Sequence, residues 1–93
     1  METNRLSALL KLIANPDRMG ILLMLRDGEC SVAELCETLG ATPTAVSAHL
    51  HKMRTEGLVD FTRYHRILEY RLVSEEARIL LDTVAELKNR EAA

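Results

Sequence analysis

The chain has 93 residues, a length that suits one domain with a single core. Its 12 lysines and arginines against 14 aspartates and glutamates give a formal net charge of -2, so overall charge gives no indication of a nucleic-acid partner. No window approaches the roughly 18 apolar residues that cross a bilayer, and the sequence METNRLSALLKLIANPDR, interrupted by Lys11 and Pro16, does not resemble a signal peptide. With two cysteines and no leader, we expect a soluble cytoplasmic protein without a membrane partner.

Two helices are predicted in the first part of the chain. The first has apolar residues at the i, i+3, i+4 and i+7 spacing of one helix face, namely Leu6, Leu9, Leu10 and Ile13. Asn15 and Pro16 end this helix and begin the second, because Asn is a good N-cap and Pro suits the first helical position. The second helix extends to about Arg26, and Asp27-Gly28 ends it. Its many apolar residues indicate burial on more than one side.

A short third helix is predicted from a capping box. In this pattern the hydroxyl of Ser31 and the carboxylate of Glu34 bond to the backbone N–H groups at the helix start. Gly40 supplies the left-handed residue at the helix end. We expect Val32, Leu35 and Leu39 to face inward.

A fourth helix, over residues 43–56, begins only two residues later. Thr42 is its N-cap, Pro43 is its first residue, and Gly57 ends it. Its buried stripe is Val46, Leu50 and Met53. Two helices joined by a tight turn containing Gly are typical of a helix-turn-helix.

The segment LVDFTRYHRILEYRL predicts two strands, at 59–72, around a turn near Tyr64-His65. Neither turn residue is Gly or Asn, so the turn is poor for a tight hairpin and a longer loop remains possible. Ser74-Glu75-Glu76 then begins a last helix. Its apolar residues are Ala77, Leu80, Leu81, Val84 and Leu87, a set that favours packing on the first helix or on a partner chain.

The element order predicts a mainly α fold, a winged helix-turn-helix with about five helices and a two-stranded wing. We expect residues 1–93 to form a single domain. A chain with 47% hydrophobic residues and only three aromatic ones has a thin core, so dimerisation through the terminal helices would hide surplus apolar area.

Charge and small polar residues concentrate in the middle of the chain. Residues 42–71 hold five basic and three acidic side chains, whereas the remainder holds 7 basic and 11 acidic ones. The second helix of a helix-turn-helix places its N-terminal residues in the DNA major groove. Candidate contacts with double-stranded DNA are Thr42, Thr44, Ser47, Ala48 and His51 on the fourth helix, Lys52 and Arg54 later in it, and Arg63 and Arg66 at the wing. For Thr42 an N-cap role, and for Thr44 and Ser47 an ordinary helix surface, are the structural alternatives.

The runs ANPDRMGILLML, GECSVAELCETLGATPTAVSAHLHKMRTEGLV and RILEYRL resemble the ArsR/SmtB family of bacterial transcriptional regulators. The resemblance extends from Leu6 to Leu87, and its most specific part is VSxHLxxMRxxGLV. It implies a homodimeric winged-helix protein that usually represses transcription at an imperfect palindrome, often until a metal or thiol-reactive signal releases it. By the same resemblance, residues 44, 47, 48 and 51 are DNA-reading positions. Ala48 replaces a residue that is often long and polar, and His65 replaces the wing glycine.

The metal sites of that family do not carry over to this chain. Of the Cys-x-Cys pair only Cys36 is present, and the last helix offers Asp82 and Glu86 but no histidine. We therefore expect no metal and no cofactor.

The two cysteines are possible thiol sensors. A bridge between Cys30 and Cys36 would require unwinding the third helix, since their Cα atoms should lie more than about 7 Å apart. We expect Cys36 to be a small buried hydrophobe. Cys30, which precedes the cap and is expected to be more exposed, is the better candidate for reactivity.

Three classes of function remain from the residues. The first is a homodimeric transcriptional repressor that binds DNA and has no enzymatic activity. The second is a winged-helix module that binds another protein, which the net charge and Ala48 favour. The third, a thiol- or metal-dependent enzyme, lacks a ligand set. A thiol-responsive repressor is a variant of the first class, and no inducer is identified.

Overall fold

The computed structural model describes residues 2–92 and contains five helices and three strands. In chain order these are α1 (Thr3–Ala14), α2 (Pro16–Asp27), β1 (Cys30–Ser31), α3 (Val32–Leu39), α4 (Pro43–Thr55), β2 (Val59–Tyr64), β3 (Ile67–Leu72) and α5 (Glu75–Ala92). The predicted five helices and wing are confirmed, in the predicted order. Within residues 2–92 no helix is both long enough and apolar enough to cross a membrane.

Side-chain caps begin the helices where the sequence predicts them. The amide of Glu34 donates to the Ser31 hydroxyl at 3.2 Å, and the amide of Ser31 donates to the Glu34 carboxylate at 3.0 Å, which completes the capping box of α3. Asn15 caps α2, and Thr42 caps α4 by accepting from the amide of Ala45 at 3.2 Å. Because these bonds are local, the residue pattern alone was enough to predict them.

The wing belongs to a three-stranded antiparallel sheet with the order β1-β3-β2. The pair Cys30 and Ser31 lies beside Tyr70 and Glu69 of β3. The expected two-stranded wing is therefore extended by a strand that the sequence analysis missed. Two residues are too short for any alternation of apolar and polar side chains to be recognised.

The hairpin turn is tight. Tyr64 is paired with Ile67, so only His65 and Arg66 form the loop. His65 takes a φ of 60°, the left-handed region that hairpin loops of two residues require at their first position. The longer loop that the sequence left open is thus not formed.

The core lies between α2, α3, α4 and the sheet, with the N-terminal half of α5 over it. The buried stripe of α4 is as expected, since Val46, Leu50 and Met53 are almost fully buried. The expected inward stripe of α3 is correct for Leu35, partly so for Val32, and wrong for Leu39, which is 37% exposed. Leu39 lies in the last turn of α3, where its side chain lies over Gly20 of α2 and stays partly open to solvent.

The two terminal helices leave apolar side chains uncovered. On α5, Ala77 and Leu81 are buried, whereas Ile79 and Leu87 are more than half exposed. On α1, Leu6 and Leu10 are also exposed. Both helices therefore have an apolar face that the rest of the described chain does not cover.

Candidate nucleic-acid interface

Helix α4 has one buried face and one open face. Thr44, Ser47, Ala48 and His51 are all exposed and follow the i, i+3, i+4 and i+7 spacing of a single stripe. The opposite face carries the buried stripe that anchors the helix to the core. The four predicted reading positions therefore lie together on a surface that a groove of DNA can approach.

The start of this stripe is held in a fixed conformation. The Thr42 hydroxyl accepts the hydrogen bond from the amide of Ala45, so its oxygen already has a structural role. Thr42 is nevertheless exposed, and its own O–H can still donate. Pro43 has no N–H and the amide of Ala45 is already bonded, so the amide of Thr44 is the free donor at the positive end of the helix dipole, which attracts a phosphate.

His49 faces away from the open stripe, as its spacing predicts. Its side chain is partly buried, and Nε2 lies 3.8 Å from Oδ2 of Asp17 at the start of α2. His51 is exposed on the reading stripe. The two histidines therefore lie on different faces of α4 and do not form a common site.

The two basic residues near the end of α4 have different environments. Lys52 is exposed. Arg54 donates from Nε to Oδ1 of Asp60 at 2.9 Å, and its Cζ lies 4.4 Å from the centroid of the Phe61 ring. The hydrogen bond from Arg54 lowers the pKa of the Asp60 carboxyl, and the amide of Phe61 contributes further. The guanidinium group of Arg54 therefore already contacts two residues of the protein, which the sequence analysis did not anticipate.

The tip of the wing carries free positive charge. Arg63 and Arg66 are exposed, and neither forms an ion pair with another residue of the range 2–92. Tyr64 and Ile67, the last pair of the ladder, are each more than half exposed. The tip therefore combines two arginines with two apolar side chains, and the exposure of that pair was not predicted.

Asp60 and Phe61 are the site residues that the sequence analysis missed. They hold Arg54 across the turn between α4 and β2, over a separation of six and seven residues. No local sequence pattern predicts such a contact, because the helix period and the strand period each relate residues within one element only.

The structure reverses the expected exposure of the two cysteines. Cys30 is 8% exposed, and its Sγ donates to the carbonyl oxygen of Gly28 at 3.7 Å. Burial, and then the negative charge of Glu34, raise the pKa of the Cys30 thiol. Cys36 is only partly buried, so the expectation that Cys30 is the more exposed thiol and Cys36 the buried one is wrong. Pairing of β1 with β3 covers Cys30, and that pairing was not visible in the sequence.

Both thiols are free. In the range 2–92, no three His, Cys, Asp or Glu side chains are grouped so that they could hold a metal ion.

Comparison with known proteins relates this geometry to a family. The sequence model described as "Bacterial regulatory protein, arsR family" matches residues 15–60, from the cap of α2 to the start of the wing. The transcriptional activator HlyU of Vibrio cholerae is 38% identical over 89 residues, which cover 94% of this chain and 82% of HlyU.

Solved structures agree with this relationship. The structure of reduced HlyU from Vibrio cholerae has a TM-score of 0.88 at 35% identity, covering 91% of this chain and 90% of that one. The transcriptional repressor BigR from Xylella fastidiosa has a TM-score of 0.85 at 30% identity, with 90% and 86% covered.

A third structure is that of a homodimer. It is the winged helix-turn-helix DNA-binding domain of Mb0332 from Mycobacterium bovis, with a TM-score of 0.80 at 27% identity and 96% and 82% covered. From the sequence matches and the shared fold, the chain belongs to the ArsR family of bacterial regulatory proteins.

Proposed function

We propose that this protein is a homodimeric DNA-binding transcriptional repressor that reads a palindromic operator with α4 and the wing. The observation that carries the proposal is the open stripe of α4, which lies on the same molecule as an arginine-bearing wing tip. We further propose that it acts in the cytoplasm, where the bacterial chromosome lies, and that it has no catalytic activity.

The side chains of the stripe suit contact with base edges. With 13 residues, α4 is about 20 Å long, and a helix of that size fits the major groove. Thr44 and Ser47 can donate to or accept from either purine or pyrimidine edges, and Ala48 can contact the methyl group of thymine. His51 lies one turn further on, where the groove wall brings bases and phosphates within reach of a longer side chain.

The wing supplies contacts that do not depend on sequence. Arg63 and Arg66 have no carboxylate partner in residues 2–92, so their charges are available to phosphates on either side of the minor groove. Lys52 adds a third exposed charge beside the reading stripe. These local charges outweigh the acidic balance of the remainder of the chain, because phosphate attraction acts over about one Debye length.

Dimerisation through α1 and α5 would bury the apolar faces of the terminal helices. Leu6 and Leu10 on α1 and Ile79 and Leu87 on α5 are all exposed in a single copy. A twofold dimer places two copies of α4 so that they enter successive major grooves, with half-sites about 34 Å apart or at a multiple of that distance. The homodimeric state of the Mb0332 domain supports the formation of a homodimer.

Repression follows if the bound dimer blocks access of the transcription machinery to a promoter. BigR is a transcriptional repressor, whereas HlyU is a transcriptional activator, so the sign of the effect is testable. Deleting the gene should raise transcription of the operator-linked promoter. A fall in transcription would instead assign this protein to the activators.

Fluorescence anisotropy with DNA from upstream of the protein's own gene tests the binding itself. We expect tighter binding to this fragment than to an unrelated one, with log K falling by about 0.9 per phosphate contact for each tenfold rise in salt. Arg63→Ala and Arg66→Ala should each weaken binding to both fragments and reduce that slope by about one contact.

Variants of the reading stripe serve as the matched comparison. Thr44→Ala and Ser47→Ala should change the preference among operator sequences and leave the salt slope unchanged. Weak and equal binding of the wild-type protein to both fragments would contradict the proposal and favour a protein-interaction module. An unchanged affinity for all four variants would show that DNA contacts a different surface.

A further inference from the structure

Arg54 is tied to the base of the wing by two contacts. It lies in the last turn of α4, and it donates from Nε to Asp60 of β2 at 2.9 Å. Its guanidinium group also covers the ring of Phe61, at 4.4 Å from the centroid. A planar guanidinium can make an in-plane hydrogen bond and a stacking contact at the same time, which an ammonium group cannot do.

Each partner of Arg54 is itself fixed to the sheet. Oδ1 of Asp60 also accepts from the amide of Phe61 at 2.8 Å, so the carboxylate is held against its own strand. β2 is an edge strand of the sheet. The ring of Phe61 packs against Tyr70 of β3, with ring centroids 5.4 Å apart, and Tyr70 is buried. A continuous series of contacts therefore connects Arg54 at the end of α4, through Phe61, to the buried Tyr70 of β3.

The contacts of Arg54 lie at the base of the wing, so a small rotation there moves the tip of the wing by several ångströms. Asp60 and the turn residue His65 are five residue steps apart along β2, a length of about 16 Å at the rise of a β-strand. A rotation of the wing by about 10° at its base would move the tip by about 3 Å over that length. This displacement exceeds the tolerance of a hydrogen bond, so the arginines at the tip would lose their phosphates.

We propose that Arg54 is a positioning residue, which sets the angle between the reading helix and the wing instead of contacting DNA through its charge. The inference rests on the proposed function, because it concerns how one DNA-binding surface is held to another. The carboxylate of Asp60 already neutralises the guanidinium of Arg54 at 2.9 Å. Arg54 and Asp60 are about half exposed, so their pairing contributes little to folding and its effect on geometry can be measured separately.

Three variants separate positioning from direct contact when their affinity for operator DNA is measured over a range of salt concentrations. Arg54→Lys keeps the charge but loses the stacked plane, Arg54→Gln removes the charge, and Asp60→Ala removes both the opposing carboxylate and its acceptor oxygens. If Arg54 positions the wing, Arg54→Lys and Asp60→Ala should both weaken operator binding by about tenfold. They should also lower the salt slope by up to about 1.8, because the displaced tip arginines release their phosphates. Arg63→Gln is the positive control and should lower the slope by about 0.9.

A direct phosphate contact predicts the opposite sign at Asp60. Removing that carboxylate would then strengthen binding, Arg54→Lys would resemble the wild type, and Arg54→Gln would lower the salt slope by about 0.9. This pattern would overturn the inference.

Amide hydrogen exchange of the free protein gives a readout that does not involve DNA. Residues 61–69 should exchange faster in Arg54→Lys and Asp60→Ala than in the wild type, at an unchanged midpoint of urea unfolding. Exchange rates equal to those of the wild type would contradict the inference, and this result does not depend on whether the protein binds DNA. Failure of the proposed function has its own signature, which is equal and weak binding of the wild-type protein to operator and unrelated DNA.

Discussion

At the scale of single residues, the tight wing turn places conformational strain on the backbone of His65. It has a φ of 60°, the only positive φ among the described residues other than glycines. The left-handed conformation costs an L-residue about 1–2 kcal/mol, whereas replacement by Gly costs about 0.5–1 kcal/mol of backbone entropy. His65→Gly should therefore stabilise the fold by about 0.5–1 kcal/mol, measured by urea unfolding.

Arg66 provides the control within the same turn. Its φ is not positive, so Arg66→Gly relieves no strain and should lower the free energy of unfolding slightly. If both glycine variants destabilise the protein alike, the left-handed residue does not strain the turn.

The two thiols should differ in reactivity in the reverse of the order that the sequence suggested. Burial raises the pKa of the Cys30 thiol from its ordinary value of 9.0, and alkylation requires the thiolate. Iodoacetamide at about pH 8 should therefore label Cys36 several-fold faster than Cys30 in the native protein, as followed by mass spectrometry. In urea the two rates should converge, and equal rates in the native protein would contradict the burial of Cys30.

The same shift gives a pH dependence of stability. A protonated Cys30 is favoured in the folded state, so its contribution to stability is complete below pH 9.0 and is lost as pH rises through the raised pKa. Cys30→Ala should remove this part of the alkaline loss of stability, which urea unfolding at a series of pH values would measure.

At the scale of elements, α4 depends on its cap as much as on its packing. Thr42→Ala removes the acceptor for the amide of Ala45 and should lower the free energy of unfolding by about 1 kcal/mol. Thr42→Ser keeps that acceptor and should restore the stability. Urea titrations of the three proteins in the absence of DNA test this, and equal stability of all three would contradict the capping role of Thr42.

At the scale of the whole molecule, the open apolar face of α5 is the proposed contact between subunits. Leu87 is 55% exposed, and Leu87→Glu would place a charge in that contact. The variant should weaken dimerisation by at least about tenfold in sedimentation equilibrium, since an unpaired buried charge is costly. Asn89→Glu adds the same charge about 200° around the helix and should dimerise like the wild type. An unchanged equilibrium for Leu87→Glu would remove the last helix from the interface.

Much of the fold could be predicted because its signals are local. The capping box at Ser31 and the N-cap at Thr42 act over three residues, and each was confirmed. Strand β1 and the exposure of Leu39 could not be predicted, because they depend on which distant surface lies nearby. Of the candidate site, the stripe on α4 follows from helix periodicity, whereas the engagement of Arg54 depends on a partner strand.

The amino-acid order is sufficient to specify the five helices, the wing and the face of α4 that is left open. Caps, glycines and apolar spacing act between near neighbours, so a linear pattern contains them. The burial of Cys30, and the hold of Asp60 and Phe61 on Arg54, became visible only in three dimensions. Those properties arise from contacts between separate elements, and the free energy of such a contact depends on distances that no local pattern encodes.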